Sequence, residues 1–176
     1  TGLELIKSGC TCTIDNHYPT PVPGLPDECI RAFLDIGIRG VEAMGTPDRD
    51  KPYFPMPKVL IRDTEEALKD NVRLIREWHG KANGRIHVWF GTGAPFACTD
   101  EILERAHDLS LEHGVGVTCH LHETRDEVSR WKEETGLTPI QYYHKKIRFL
   151  GPNLVGVHCV WLDDEDIRIL AETDTR

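Results

Sequence analysis

Two short segments carry the residues best suited to chemistry. Val117-Thr-Cys-His120-Leu-His122-Glu123 sets two imidazoles and a carboxylate almost side by side, and Val157-His158-Cys-Val-Trp161 adds a further imidazole. Both segments are apolar and β-branched, as strands are. Strand side chains alternate, so Gly116, Thr118, His120 and His122 share one face, opposite Val115, Val117, Cys119 and Leu121. The same alternation sets Leu154, Gly156 and His158 against Val155, Val157 and Cys159. Two imidazoles converging from neighbouring strand ends make a metal-ligand pattern, with His120 and His158 as the donors. Glu123 falls in the turn leaving the first of these strands. There a carboxylate can take a proton from metal-activated water and deliver it to a leaving group. Either histidine alone is more simply a hydrogen-bonded core residue; the pair with a carboxylate at the mouth favours a site.

These residues need a scaffold, and the rest of the chain supplies one. Strand-like segments at 10–14, 38–44, 85–90, 115–121 and 154–161 alternate with helical ones. Helical spacing runs over 26–36, closed by Gly37, and from an N-cap at Thr64 to Trp78. Thr99-Asp100-Glu101 opens another helix that Gly114 ends, 139–149 reads as helical, and Asp163 or Asp164 caps the last. Proline-punctuated loops fill 15–24 and 45–58. Such alternation predicts an α/β fold with βαβ units and a parallel sheet, either doubly wound or part of a (β/α) barrel. No glycine-rich phosphate fingerprint follows the first strand, which weakens the nucleotide-binding version. In a barrel the histidine-bearing face points inward and the strand C-termini carry the site.

Other residues are candidates for substrate contact. Asn16 and His17 follow the first strand and could line the pocket mouth; turn chemistry is the plainer account. Trp89 and Trp161 could stack on a planar ring, or simply fill the core. His122 could face substrate, support a ligand, or be the ligand itself if the register slips.

Composition narrows the partners. The chain has 176 residues and a net charge of −8, which argues against nucleic acid or a membrane surface. No apolar run approaches the ~18–20 residues of a membrane span, and the first ten residues hold no secretory core. The six cysteines are scattered among β-formers, as buried free thiols are. Cys10-Thr-Cys12 lacks a second pair at zinc-finger spacing. The cytoplasm is the expected compartment.

Taken together, Val117-Thr-Cys-His120-Leu-His-Glu123-Thr, Val157-His158-Cys-Val-Trp-Leu162, Thr138-Pro139 and Leu150-Gly-Pro-Asn153 resemble the amidohydrolase superfamily. The resemblance is to its cytosine-deaminase-like branch, which includes adenosylhomocysteine and guanine deaminases and triazine chlorohydrolases. Leu5-Ile-Lys-Ser-Gly9-Cys-Thr-Cys-Thr13 is similar to the segment that leads into and forms the branch's second barrel strand, and Phe90-Gly91 with Pro95-Phe96 to its loop after the fourth. The resemblance implies a (β/α)8 TIM-type barrel, incomplete here, with residues 1–176 as its central part, strands two to six. The first strand, the last two and any flanking β domain would be absent.

By the same resemblance His120 and His158 would hold a divalent metal, zinc by first choice and iron as the alternative, and Glu123 would shuttle protons. The implied reaction is deamination of an amino-substituted nitrogen heterocycle of purine, pterin, pyrimidine or triazine type by metal-activated water. The alternatives are hydrolytic dehalogenation, cyclic-amide hydrolysis, or an inert truncated fragment. The family's first-strand H-x-H pair and eighth-strand aspartate have no counterpart in this sequence, so a complete site cannot come from this chain alone. Gly93 stands where several deaminases of the branch place a substrate-binding histidine. Barrels of the branch commonly form dimers, but no interface is legible. Open sheet edges predict association or poor solubility.

Overall fold

A computed structural model describes all residues, 1–176. Five strands form one parallel sheet in chain order: β1 (Cys12–His17), β2 (Arg39–Gly45), β3 (Ile86–Thr92), β4 (Val117–Leu121) and β5 (Leu154–His158). Sequential parallel neighbours joined by helical crossovers make the arc of an incomplete TIM-type barrel. The helices of six residues or more are α1 (Gly2–Lys7), α2 (Leu25–Ile36), α3 (Thr64–Trp78), α4 (Asp100–His113), α5 (Arg125–Thr135), α6 (Pro139–Lys146) and α7 (Asp164–Glu172). None is long and apolar enough to cross a membrane.

The core lies between sheet and helices. Ile86, Val88 and Phe90 of β3 and Val117, Cys119 and Leu121 of β4 alternate onto it, meeting Leu68, Leu74, Ile102, Leu103, Ile140 and Tyr143. This is the apolar face expected of β4, and it leaves Thr118 and His120 for the other side.

The helix starts are written locally. The α3 cap is Asp63, one residue before the threonine expected; its side chain accepts from the Glu66 N–H at 3.0 Å. Thr99 caps α4 as anticipated. Asp163 caps α7 in a reciprocal box with Asp166, each carboxylate accepting from the other's backbone N–H at 2.9 and 3.1 Å. Asp163→Ala should therefore cost about 0.5–2 kcal/mol in urea unfolding; an unchanged midpoint would contradict the cap.

β1 differs most from expectation. It runs to His17 rather than stopping at Ile14, because the polar run Asp15-Asn16-His17 keeps its ladder with Glu42, Ala43 and Met44 of β2. β4 and β5 are shorter than expected at 117–121 and 154–158, and α6 ends at Lys146 rather than continuing to 149. β1 and β5 are the sheet edges, yet β5 is not bare. The Arg176 N–H donates to the Leu154 carbonyl at 3.0 Å and the Gly156 N–H donates to the Arg176 carbonyl at 2.6 Å.

Candidate active site at the strand C-termini

His120 is the fourth residue of β4 and points to the barrel interior, beside its register partner Val157. Its ring lies 5.3 Å from that of His158, centroid to centroid, and 5.5 Å from that of Tyr18. His158 Nε2 is 3.7 Å from Glu123 Oε1. Below them the Thr118 hydroxyl donates to Asn16 Oδ1 at 3.0 Å, linking β4 to β1 across the interior. His120, His158, Glu123 and Asn16 are thus brought to one end of the sheet.

His158 reaches that place by a route alternation does not predict. Its register partner is Leu121, a core residue, and Leu154 of the same strand is fully buried among core residues. Val155 and Val157, the partners of Thr118 and His120, are the interior residues of β5, which reverses the faces expected for this strand. His158 has φ 75° and Cys159 φ 50°, both left-handed, and this turn swings the imidazole off the helix side. His122 at the end of β4 has φ 53°. Non-glycine residues in this region cost about 1–3 kcal/mol each and gather at functional sites. Backbone bonds hold them here: the His122 carbonyl accepts from Val160 and Trp161 N–H, both at 3.1 Å, and the Leu121 carbonyl from Cys159 N–H at 2.9 Å.

Three expected substrate contacts lie elsewhere. His122 is buried with both ring nitrogens engaged: Nδ1–H donates to the Trp161 carbonyl at 2.8 Å and Nε2 accepts from the Ile140 N–H at 3.3 Å. Burial lowers its pKa, so it is a neutral strut between the two strand ends with no nitrogen left for substrate. His17 turns to the helix side, where Nδ1 meets Glu42 Oε1 at 3.0 Å. Trp89 sits mid-strand against Gly116, where an added Cβ would approach its ring to 2.6 Å. Gly116 precedes His120 by four residues, about 13 Å along a strand at ~3.3 Å per residue, so Trp89 belongs to the floor. Trp161 stays near the mouth, with the Arg125 guanidinium 4.4 Å from its ring centroid.

Two residues absent from the sequence argument shape the site. Tyr18 packs on His120, and a Cβ at Gly93 would come within 2.9 Å of the Tyr18 ring, so this tyrosine fills the space beside Gly93. Glu127 is buried, and its Oε2 accepts from the Glu123 N–H at 3.1 Å, fixing the turn that aims Glu123. The T-x-x-E spacing of Thr124 and Glu127 is a legible helix-start signal for α5. Glu123 and Glu127 also line a cleft of about 200 Å³ with Tyr53, Phe54 and Phe96.

Burial pushes the Glu127 carboxyl up from 4.5 to about 7. A raised acid pKa means the folded chain binds more protons than the unfolded one between these values. Stability from this group is therefore full below pH ~4.5 and is lost as pH rises through about 7. Glu127→Gln should remove up to about 3 kcal/mol of that decline. Urea midpoints at pH 5 and pH 8 check it, and parallel pH profiles for the two chains would refute it.

The donors suit a metal in kind. His120 Nδ1 is buried without a hydrogen-bond partner, and burial, then nearby His158, lowers the ring's pKa toward the neutral ligand form. Two imidazoles are one short of the three protein ligands usual at a catalytic zinc.

A model of the amidohydrolase family matches residues 2–176. A curated relative from Symbiobacterium thermophilum, named 5-methylthioadenosine/S-adenosylhomocysteine deaminase, is 36% identical over 172 residues, covering 98% of this chain and 36% of the relative. The chain thus spans about a third of that relative's length. Among solved structures, the triazine hydrolase from Arthrobacter aurescens superposes with a TM-score of 0.88 at 18% identity, covering 98% of this chain and 39% of that one. An adenosine deaminase from Xanthomonas campestris with bound zinc gives 0.80 at 21% identity, over 98% of this chain and 36% of that one. With the family model matched over nearly every residue, the chain belongs to the amidohydrolase family.

Proposed function

We propose that this chain is the central part of a metal-dependent hydrolase that deaminates an amino-substituted nitrogen heterocycle. The observation that carries this reading is the convergence of His120, His158 and Glu123 at the strand C-termini. The deaminase name of the 36% identical relative supports the reaction class. His120 and His158 would hold a divalent metal, zinc by first choice, with further ligands from outside these residues. When bound, such an ion supplies the Lewis acidity that makes water nucleophilic near neutral pH.

The chain's own groups do the rest. Glu123 Oε1 takes the proton of the attacking water and returns it to the departing amine. Glu127 holds the Glu123 backbone in place, so that proton travels a fixed path. Asn16, tied to Thr118, offers a polar floor beneath the ring, and Tyr18 bounds it beside Gly93. The full-length protein carrying this segment should release ammonia from amino-heterocycles. Release of chloride from chlorotriazines without ammonia would replace this reading with dehalogenation.

A further inference from the structure

A second group of side chains converges on the other side of the sheet. Asp15 and His17 stand two residues apart on β1, so both face α2. Glu42 is the register partner of Asp15 on β2 and points the same way. Cys29 descends from α2 onto them. One donor atom from each of the four lies within 4.8 Å of all the others. The contacts include His17 Nδ1 to Glu42 Oε1 at 3.0 Å and to Cys29 Sγ at 3.5 Å.

No lysine or arginine joins the arrangement, and Glu42 raises the pKa of His17, its one basic member. Two carboxylates directly across a parallel ladder repel each other. Glu42 is fully buried, its ion-pair partner is His17, and neither it nor Asp15 meets a lysine or arginine. The second oxygen of Glu42, Oε2, is buried without any hydrogen-bond partner. A buried carboxylate oxygen left so is destabilising unless something else satisfies it. Burial and the neighbouring acids push Glu42 up to about 7 and Cys29 up to about 11, as expected of anionic groups with too little positive charge nearby.

We propose that Asp15, His17, Cys29 and Glu42 form a metal site, separate from the strand-end site, for a divalent transition metal of the zinc type. Four donors of one sulfur, one nitrogen and two carboxylate oxygens match the ligand number and softness of zinc or cobalt, and the sulfur disfavours magnesium and calcium. On binding, the Cys29 S–H bond breaks, a sulfur–metal bond forms, and the proton leaves to water; any proton on Glu42 and any second ring proton on His17 follow it. The site would clamp α2 to the first two strands.

The test is a cobalt(II) titration of the reduced, chelator-stripped chain. One equivalent should raise a near-ultraviolet thiolate-to-cobalt band. That band should vanish in Cys29→Ser and His17→Ala and persist in the His120→Ala/His158→Ala double variant. X-ray absorption on the unmodified zinc-loaded chain reads the same sulfur without any substitution. A single sulfur with nitrogen and oxygen neighbours supports the site. No sulfur, two sulfurs, or a band that survives Cys29→Ser would overturn it, placing the metal at the strand-end histidines or at Cys10 and Cys12.

Discussion

Glu123→Gln in the full-length protein is expected to lower the rate of ammonia release by about 10²–10⁴-fold. The substitution keeps the side chain's size and its place beside His158, 3.7 Å away, but removes the titratable proton. Metal content should stay at the parental level, because the variant leaves both imidazoles untouched. The loss should fall on kcat more than on KM, since the carboxylate acts on the proton in flight rather than on bound substrate. Steady-state ammonia assays with elemental analysis decide it. A fully metallated variant with parental kcat would remove Glu123 from the reaction.

Phe90→Ala should destabilise the chain by about 3–5 kcal/mol. Phe90 is 1% exposed on the helix side of β3, between register partners Met44 and Val117, so truncation opens a cavity in the middle of the core. Against the roughly 5–15 kcal/mol that holds a domain folded, this is a large share. Urea unfolding should show a lower midpoint at constant slope. A shift below about 1 kcal/mol would mean that the cavity collapses or that the helices do not bear on this strand.

The sequence carried the βαβ alternation and the inner face of β4 well, because Val117, Cys119 and Leu121 alternate cleanly with Thr118 and His120. It carried β5 poorly. His158 comes beside His120 through a left-handed backbone that no periodicity encodes, whereas alternation expected it on the inner face of β5. The run Asp15-Asn16-His17 looked like a turn because its partners are distant: Thr118 for Asn16, Glu42 for His17. Helix α5 is mostly charged and buries only Glu127 and Trp131, too few for an apolar stripe. Its cap spacing was the readable clue. His122 stood out by its type, but both its bonds are to backbone that only the fold brings near.

The bonds from Arg176 to β5 also set the sense of the last crossover. They follow the parallel pattern, donating to Leu154 and accepting from Gly156, so the backbone leaving α7 lies alongside β5 in the same direction. The segment after α7 thus continues the sheet's order as each earlier crossover does, extending the arc by one further position.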